Sequence, residues 1–219
     1  MQTQNKIITS WDDGSPYDLR LAELLDKYKI PGILYIPITN PERKVMTKSQ
    51  IRQIASKFEI GGHTYSHVDL TSISPDEAFN EVSKGKKELE NIIGRKIDKF
   101  CFPKGKHNKS VEEIVKKAGF KSARTARIFC MNNNDNGFLE NPNLHVYNHR
   151  IFTYLASCAK NIDAKSFLSV LKIKRSGFLN IAKQFSQQGF HLWGHSWEIQ
   201  EKNLWRDLDD LLAYIHNEV

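Results

Sequence analysis

The stretch Lys6-Ile7-Ile8-Thr9-Ser10-Trp11-Asp12-Asp13-Gly14 reads as an apolar strand that runs into two adjacent carboxylates and a glycine turn. A second stretch repeats the layout, with Phe58-Glu59-Ile60-Gly61-Gly62 leading into His63-Thr64-Tyr65-Ser66-His67. In α/β scaffolds the loops leaving the C-terminal ends of parallel strands gather on one side, and ligand and catalytic groups collect there. Either half alone says little: Asp-Asp-Gly is an ordinary turn, and a lone His-x-x-x-His is more often a surface or core pair. Together, each directly after an apolar strand, they point to a metal site. One carboxylate and two histidines form a ligand set with open positions, and a spacing of four puts both imidazoles on one side of a helix or helical turn. The neighbouring carboxylate stays free to take a proton from water, which points to a hydrolase.

Outward from these stretches, strands and helices alternate. Leu21, Leu24, Leu25 and Tyr28 share one helical face, and Pro31-Gly32 then breaks into the strand Ile33-Leu34-Tyr35-Ile36. Ile51, Ile54, Ala55 and Phe58 mark a second helix. Ser74-Pro75-Asp76-Glu77 carries a capping box with proline at the first helical position, and the apolar face of Phe79, Val82, Leu89, Ile92 and Ile93 ends at Gly94. Further helices are predicted over Val111–Ala118, Leu179–Gln187 and Asn203–Glu218, and strands at Phe120–Ala123 and before His195. Such alternation implies an α/β fold with mainly parallel strands.

The chain has 219 residues, 40% hydrophobic and 26% charged, with no linker-like composition break, so a single domain over residues 1–219 is expected. Cys101, Cys130 and Cys158 have no paired spacing, which argues for reduced thiols. No stretch is long and apolar enough for a membrane span, no signal region precedes the first strand, and a cytoplasmic location is the expectation. The net charge of +7 comes from scattered lysines without an aromatic-interleaved basic platform, so no nucleic-acid partner is expected.

Ser10-Trp11-Asp12-Asp13-Gly14 resembles Thr-Phe-Asp-Asp-Gly, the first motif of the polysaccharide deacetylase family, also called the NodB-homology or carbohydrate esterase 4 family. Gly62-His63-Thr64-Tyr65-Ser66-His67 matches its second, His-Ser/Thr-x-x-His. Phe100-Cys101-Phe102-Pro103-Lys104-Gly105 resembles the third, Phe-Arg-x-Pro-Tyr-Gly, and Phe190-His191-Leu192-Trp193-Gly194-His195 the strand that ends in the catalytic histidine. The resemblance spans residues 6 to 196 and implies an irregular, incomplete (β/α) barrel of about seven βα units. It also implies hydrolysis of an N-acetyl (or O-acetyl) group on an amino-sugar-containing carbohydrate. Asp13, His63 and His67 would hold a divalent ion, most simply Zn2+. Asp12 would be the general base, His195 the general acid, and the backbone N–H of Lys104 an oxyanion donor.

Two features depart from the family. Cys101 stands where the third motif has an arginine that pairs with the base, and no counterpart of the fourth motif occurs between Ala123 and Leu144. Arg124, after the strand that follows the Cys101 strand, is the candidate partner for Asp12 because its charge is permanent and its fork can grip a carboxylate. Trp193 and Trp197 flank His195, and Trp197 is a candidate sugar-facing ring. His107, His145, His149, His191 and His216 carry no partner pattern. Three alternatives stay open: an iron(II) oxygenase built on the same ligand types, a metal-binding glycan-binding descendant without turnover, and an amide hydrolase for a small non-sugar substrate. Chitin oligomers, peptidoglycan, a glycolipid precursor and a small N-acylated metabolite all fit the motifs as substrates.

Overall fold

The computed structural model describes residues 7–126, 137–142, 144–146 and 191–218. The helix expected over Leu179–Gln187, most of the Asn-rich run from Asn132, His149, Cys130 and Cys158 lie outside these residues. The order is β1 (Ile8–Asp12), α1 (Asp18–Lys27), β2 (Gly32–Ile36), α2 (Lys48–Ala55), β3 (Glu59–Gly62), α3 (Pro75–Ile93), β4 (Lys99–Cys101), α4 (Lys109–Lys117) and β5 (Ser122–Arg124). Then come β6 (Leu139–Glu140), β7 (Leu144–His145), β8 (His191–Gly194), α5 (Ser196–Glu201) and α6 (Trp205–Glu218). Among the described residues, eight strands form one sheet in the order β6-β5-β4-β3-β2-β1-β8-β7 with every pairing parallel. The parallel strands are those the alternation implied, and the sheet is the irregular, incomplete (β/α) barrel that the resemblance implied.

Period-two alternation gives the sheet two faces of different character. Trp11, Leu34, Ile36, Phe100, Ala123 and Leu192 face the helices and join the main apolar core with Leu21, Leu25, Val82, Leu89, Val115, Leu208 and Leu212. The inner face carries Ser10, Asp12, Tyr35, Cys101, Arg124, His191 and Trp193, all buried. Polar groups fill a layer that would otherwise be aliphatic, and register sets which of them meet: Asp12 lies opposite Tyr35, and Cys101 opposite Arg124.

The helix signals hold with small shifts. Ser74 caps α3 with both halves of the capping box, and Gly94 ends it at φ 72°. The α2 helix starts earlier than its apolar pattern because Thr47 and Gln50 form a second capping box. The predicted strand Phe120–Ala123 instead covers Ser122–Arg124: Phe120 N–H still closes on Val115 O and Lys121 N–H on Asp98 O, so pairing starts two residues later. Arg124 therefore belongs to the strand rather than to the loop after it. The predicted Asn203–Glu218 helix begins at Trp205, and the short α5 before it was not read from the sequence. Among the described residues no helix is long and apolar enough to cross a membrane.

Helix α3 is also a support for the site. A Cβ on Gly85 would lie 2.6 Å from the Thr64 carbonyl carbon and 2.8 Å from the Tyr65 nitrogen, so only glycine lets the helix approach the loop after β3 this closely. Gly85→Ala is expected to destabilise the fold by about 1–3 kcal/mol through overpacking. That outweighs the ~1 kcal/mol alanine ordinarily gains inside a helix. Denaturant midpoints check it; a variant more stable than the parent would contradict the contact.

Candidate metal centre and its acid–base pair

The ligand candidates come from two strand ends. Alternation turns Asp12 to the inner face, and the chain then enters the left-handed region at Asp13 (φ 74°) and Gly14 (φ 58°). A Cβ on Gly14 would sit 2.7 Å from Ile36 Cγ2, so glycine is required there for space as well as for φ. Among the described residues, four of the six non-glycine residues with positive φ are Asp13, Thr64, His67 and Lys104. Backbone strain is thus concentrated at the ends of β1, β3 and β4, where it aims functional groups.

The two histidines do not lie on a helix, contrary to the reading from their spacing. Residues 63–67 form an irregular loop with left-handed backbone at Thr64 (φ 65°) and His67 (φ 57°). The N–H groups of Tyr65 and Ser66 donate to Glu81 Oε2 at 3.2 and 2.9 Å. The loop nevertheless brings both imidazoles together, with ring centroids 5.0 Å apart. His63 Nε2 lies 3.4 Å and His67 Nε2 3.0 Å from Asp13 Oδ1. His63 Nδ1 is 2.7 Å from the Cys101 carbonyl oxygen, which makes Nδ1 the donor and leaves Nε2 with a free lone pair.

This set fits a divalent ion. In a tetrahedral site with bonds of about 2.0–2.1 Å, ligand atoms stand about 3.3 Å apart, and the two observed spacings bracket that value. Asp13 Oδ1 is buried without a conventional hydrogen-bond donor among the described residues, as an atom reserved for a cation would be. Burial alone would raise the Asp13 carboxyl, but the His63 and His67 rings hold it far below the usual carboxylate range. Its other oxygen, Oδ2, accepts from Trp197 Nε1 at 2.8 Å. The Trp197 ring is covered on one face by the Arg43 guanidinium, 3.3 Å from its centroid, and Arg43 is held by Glu201 at 2.8 Å.

Asp12 has a cationic partner despite the missing motif arginine. Arg124, fully buried, donates from Nη2 to Asp12 Oδ2 and, at 3.0 Å, to Cys101 Sγ, while Nη1 donates to the Thr125 carbonyl at 2.9 Å. Because Cys101 and Arg124 are register partners, the arginine has in effect moved one strand across, and the small thiol leaves room for its side chain. The guanidinium also packs over the rings of Trp193 (4.7 Å) and Tyr35 (5.3 Å). Burial would raise the Asp12 carboxyl, yet Arg124, with His63 and His195, holds it below its ordinary value. Burial pushes the Cys101 thiol well up, so the thiol stays neutral.

His195 faces this group from β8, with Nε2 3.9 Å from Asp12 Oδ2 and 4.0 Å from Asp13 Oδ2. Burial disfavours its charged form, but Glu198 and the two aspartates raise its pKa above the usual imidazole value. Glu198 was missed in the sequence although it has a signal: it stands three residues after His195, the residue at the N-cap position of α5. His145, 3.2 Å from Glu198, sits on a two-residue strand that no periodicity could mark. Lys104 lies in a 3-10 turn, Pro103–Gly105, with left-handed φ 58° and ψ 12°, and its side chain pairs outward with Glu42 at 2.6 Å. His191 bonds Ser10 Oγ at 2.7 Å beneath the site, and burial holds it down to about 3, so it stays neutral.

Asp18, also missed, is fully buried in the first turn of α1 and accepts from Ser196 Oγ at 2.5 Å. Burial, reinforced by Asp13 and Asp12, pushes it up to about 8 despite the Ser196 bond. The folded state thus holds a proton that the unfolded chain gives up near pH 4. Its stabilising effect is complete below about pH 4 and declines as pH rises towards 8, by up to about 1.4 kcal/mol per pH unit. Asp18→Asn is expected to flatten the stability–pH curve between pH 5 and 8. Urea unfolding across that range checks it; an unchanged slope would mean Asp18 ionises normally.

Known proteins resemble this chain in sequence and in fold. The family model for polysaccharide deacetylases matches residues 2–123, more than half the chain and all of both ligand stretches. This chain belongs to the polysaccharide deacetylase family. The Bacillus subtilis protein named "Putative polysaccharide deacetylase YxkH" is 23% identical to it over 134 residues, 57% of this chain and 48% of that protein. The chain thus spans about half the length of this curated relative, and 31% of YlxY from the same organism. Among solved structures, the family 4 carbohydrate esterase from Streptomyces lividans, in complex with acetate, aligns over 97% of this deacetylase-family chain and 86% of its own, with TM-score 0.57 and 12% identity. A CE4 family pseudoenzyme from Bacillus anthracis aligns over 100% of this chain and 63% of its own, with TM-score 0.58 and 12% identity. These structural likenesses establish the shared fold.

Proposed function

We propose that this polysaccharide deacetylase family member is a metal-dependent hydrolase that removes an acetyl group from an N-acetylated amino-sugar carbohydrate and releases acetate. One observation carries the reading: the Asp13–His63–His67 set is flanked by a carboxylate held ionised (Asp12) and an imidazole with a raised pKa (His195), which face each other at 3.9 Å. A divalent ion bound there, most simply zinc, would polarise the acetyl carbonyl and acidify water. Asp12 takes the proton from the attacking water, and Arg124 keeps that carboxylate ionised and fixed in place. The Lys104 N–H would donate to the oxygen that becomes negative as the carbonyl is attacked. His195 delivers a proton from Nε2 to the departing amine, which cannot leave as an anion. Trp197, braced between Asp13 and Arg43, would border the sugar next to the acetyl group.

The family fold also occurs in a pseudoenzyme, so membership alone does not supply turnover. Turnover is supported here by the presence of a base, an acid and a ligand set within reach of one another. The test is mass-spectrometric detection of acetate loss across acetylated sugars (chitin oligomers, peptidoglycan fragments, N-acetylhexosamine glycolipids), with and without a chelator. Chelator-sensitive acetate release is the expected result. Tight glycan binding with no acetate from any member would favour the non-catalytic reading, and oxygen consumption would favour the oxygenase.

A further inference from the structure

Beyond the acid–base pair, the end of β8 holds an arrangement that the motifs do not contain. His195 stands at the N-cap position of α5, and Glu198, at the third helical position, reaches back so that Oε2 lies 2.7 Å from His195 Nδ1. The same oxygen lies 3.2 Å from His145 Nε2 on β7. The His145 ring is itself pinned, stacked on Trp193 with centroids 3.9 Å apart and planes 12° from parallel, and edge-on to His195 at 5.6 Å. An ionised carboxylate only accepts, so the bond to Nδ1 makes that nitrogen the donor and leaves Nε2, which faces Asp12 and Asp13, as the atom whose proton is exchanged.

We propose that Glu198 is a positioning residue that fixes the ring orientation and tautomer of His195, with His145 bracing Glu198 from β7. The spacing of three along a helix start lets one short segment supply both the acid and its orienting carboxylate, in a chain that has no fourth motif between Ala123 and Leu144. Burial would raise the Glu198 carboxyl, but His145 and His195 hold it down to about 2, so it remains an acceptor throughout the working range. The inference extends the proposed function, because it concerns the group assigned there as proton donor.

The test uses the zinc-loaded full chain with Glu198→Ala and Glu198→Gln and has two readouts. The first compares an N-acetylated chitooligosaccharide, whose amine must be protonated to leave, with 4-nitrophenyl acetate, whose nitrophenolate leaves unaided. Glu198→Ala is expected to lower kcat on the amide by about 10–100-fold with KM little changed, while leaving the ester within about threefold of the parent. Glu198→Gln keeps an acceptor for Nδ1 and is expected to recover part of the loss. The second readout is the 15N NMR signature of His195, assigned by His195→Gln: the Nδ1–H tautomer in the parent, shifting towards Nε2–H in Glu198→Ala. This readout stands even if no acetylated sugar is turned over, so failure of the proposed function and failure of this inference are distinguishable. Equal slowing on both substrates, or an unchanged tautomer, would overturn the proposal. So would a second zinc per chain that both His145→Ala and Glu198→Ala remove, because the three groups would then be ligands.

Discussion

Arg124→Ala is expected to lower kcat/KM by about 10²-fold or more, within the range that loss of a working general base produces, and to cost about 3–5 kcal/mol of stability at pH 7. Both effects come from one buried contact. Arg124 and Asp12 are almost fully shielded from water, and removing the guanidinium leaves an uncompensated carboxylate beside a neutral thiol and the Tyr35 ring. The sign of the pH dependence follows. With Arg124 present, Asp12 is held below its ordinary range, so its contribution to stability exists above about pH 4 and is lost only as pH falls through the lowered folded value. Without Arg124 the burial effect dominates, the Asp12 pKa rises, and the acidic limb of the kcat/KM profile moves to higher pH. The stability deficit should therefore shrink at low pH, where Asp12 is protonated in the variant. Because Cys101 and Arg124 are cross-strand partners, Cys101→Arg/Arg124→Ser returns the guanidinium to the strand used by the family motif and is expected to recover part of the activity. A pH–rate profile and urea unfolding at pH 5 and 7 measure both effects. An unmoved acidic limb in Arg124→Ala would show that Asp12 does not depend on this partner.

Asp13→Ala and His63→Ala are each expected to abolish stoichiometric binding of a divalent ion. Each removes one of the three donors that make up this cluster among the described residues. Trp197→Phe should fall between these variants and the parent. It deletes only the 2.8 Å bond to Asp13 Oδ2, and losing an outer partner of a ligand typically costs about 10–100-fold in affinity. Cys101→Ala should bind metal normally, since its contribution to the set is the backbone carbonyl that accepts from His63. Asp12→Asn should also retain metal while losing turnover. Elemental analysis after dialysis and calorimetric titration with zinc rank the five variants. Equal stoichiometry throughout would remove the ligand assignment, and metal loss in Cys101→Ala would shift it to the alternative cluster of Asp12, His63 and Cys101.

The sequence by itself determined what is encoded within a few residues of chain. The alternating strands and helices, the capping box at Ser74 and the stop at Gly94 depend on local periodicity and orphan backbone groups, whereas the equally local box at Thr47 went unread. The two ligand stretches were also legible, because each ends a strand and parallel pairing carries all such ends to one side. Tertiary structure decided everything that depends on register or on approach between distant segments. The His63–His67 loop is irregular rather than helical because Glu81 and Gly85 of α3 bind and shape it from outside. Arg124 reaches Asp12 because β5 starts two residues later than its apolar pattern suggested, which places the arginine in the strand opposite Cys101. Glu198, His145 and Asp18 acquire their settings from a six-residue helix, a two-residue strand and the contact between α1 and the start of α5, none of which has a periodic signature. A short-range pattern fixes which residues a strand end presents. Which charges meet there is set by contacts between residues as far apart in the chain as Asp12 and Arg124: the sequence offered Arg124 as the candidate partner, while the strand register that brings the two together and the burial that makes the pairing strong came from the sheet.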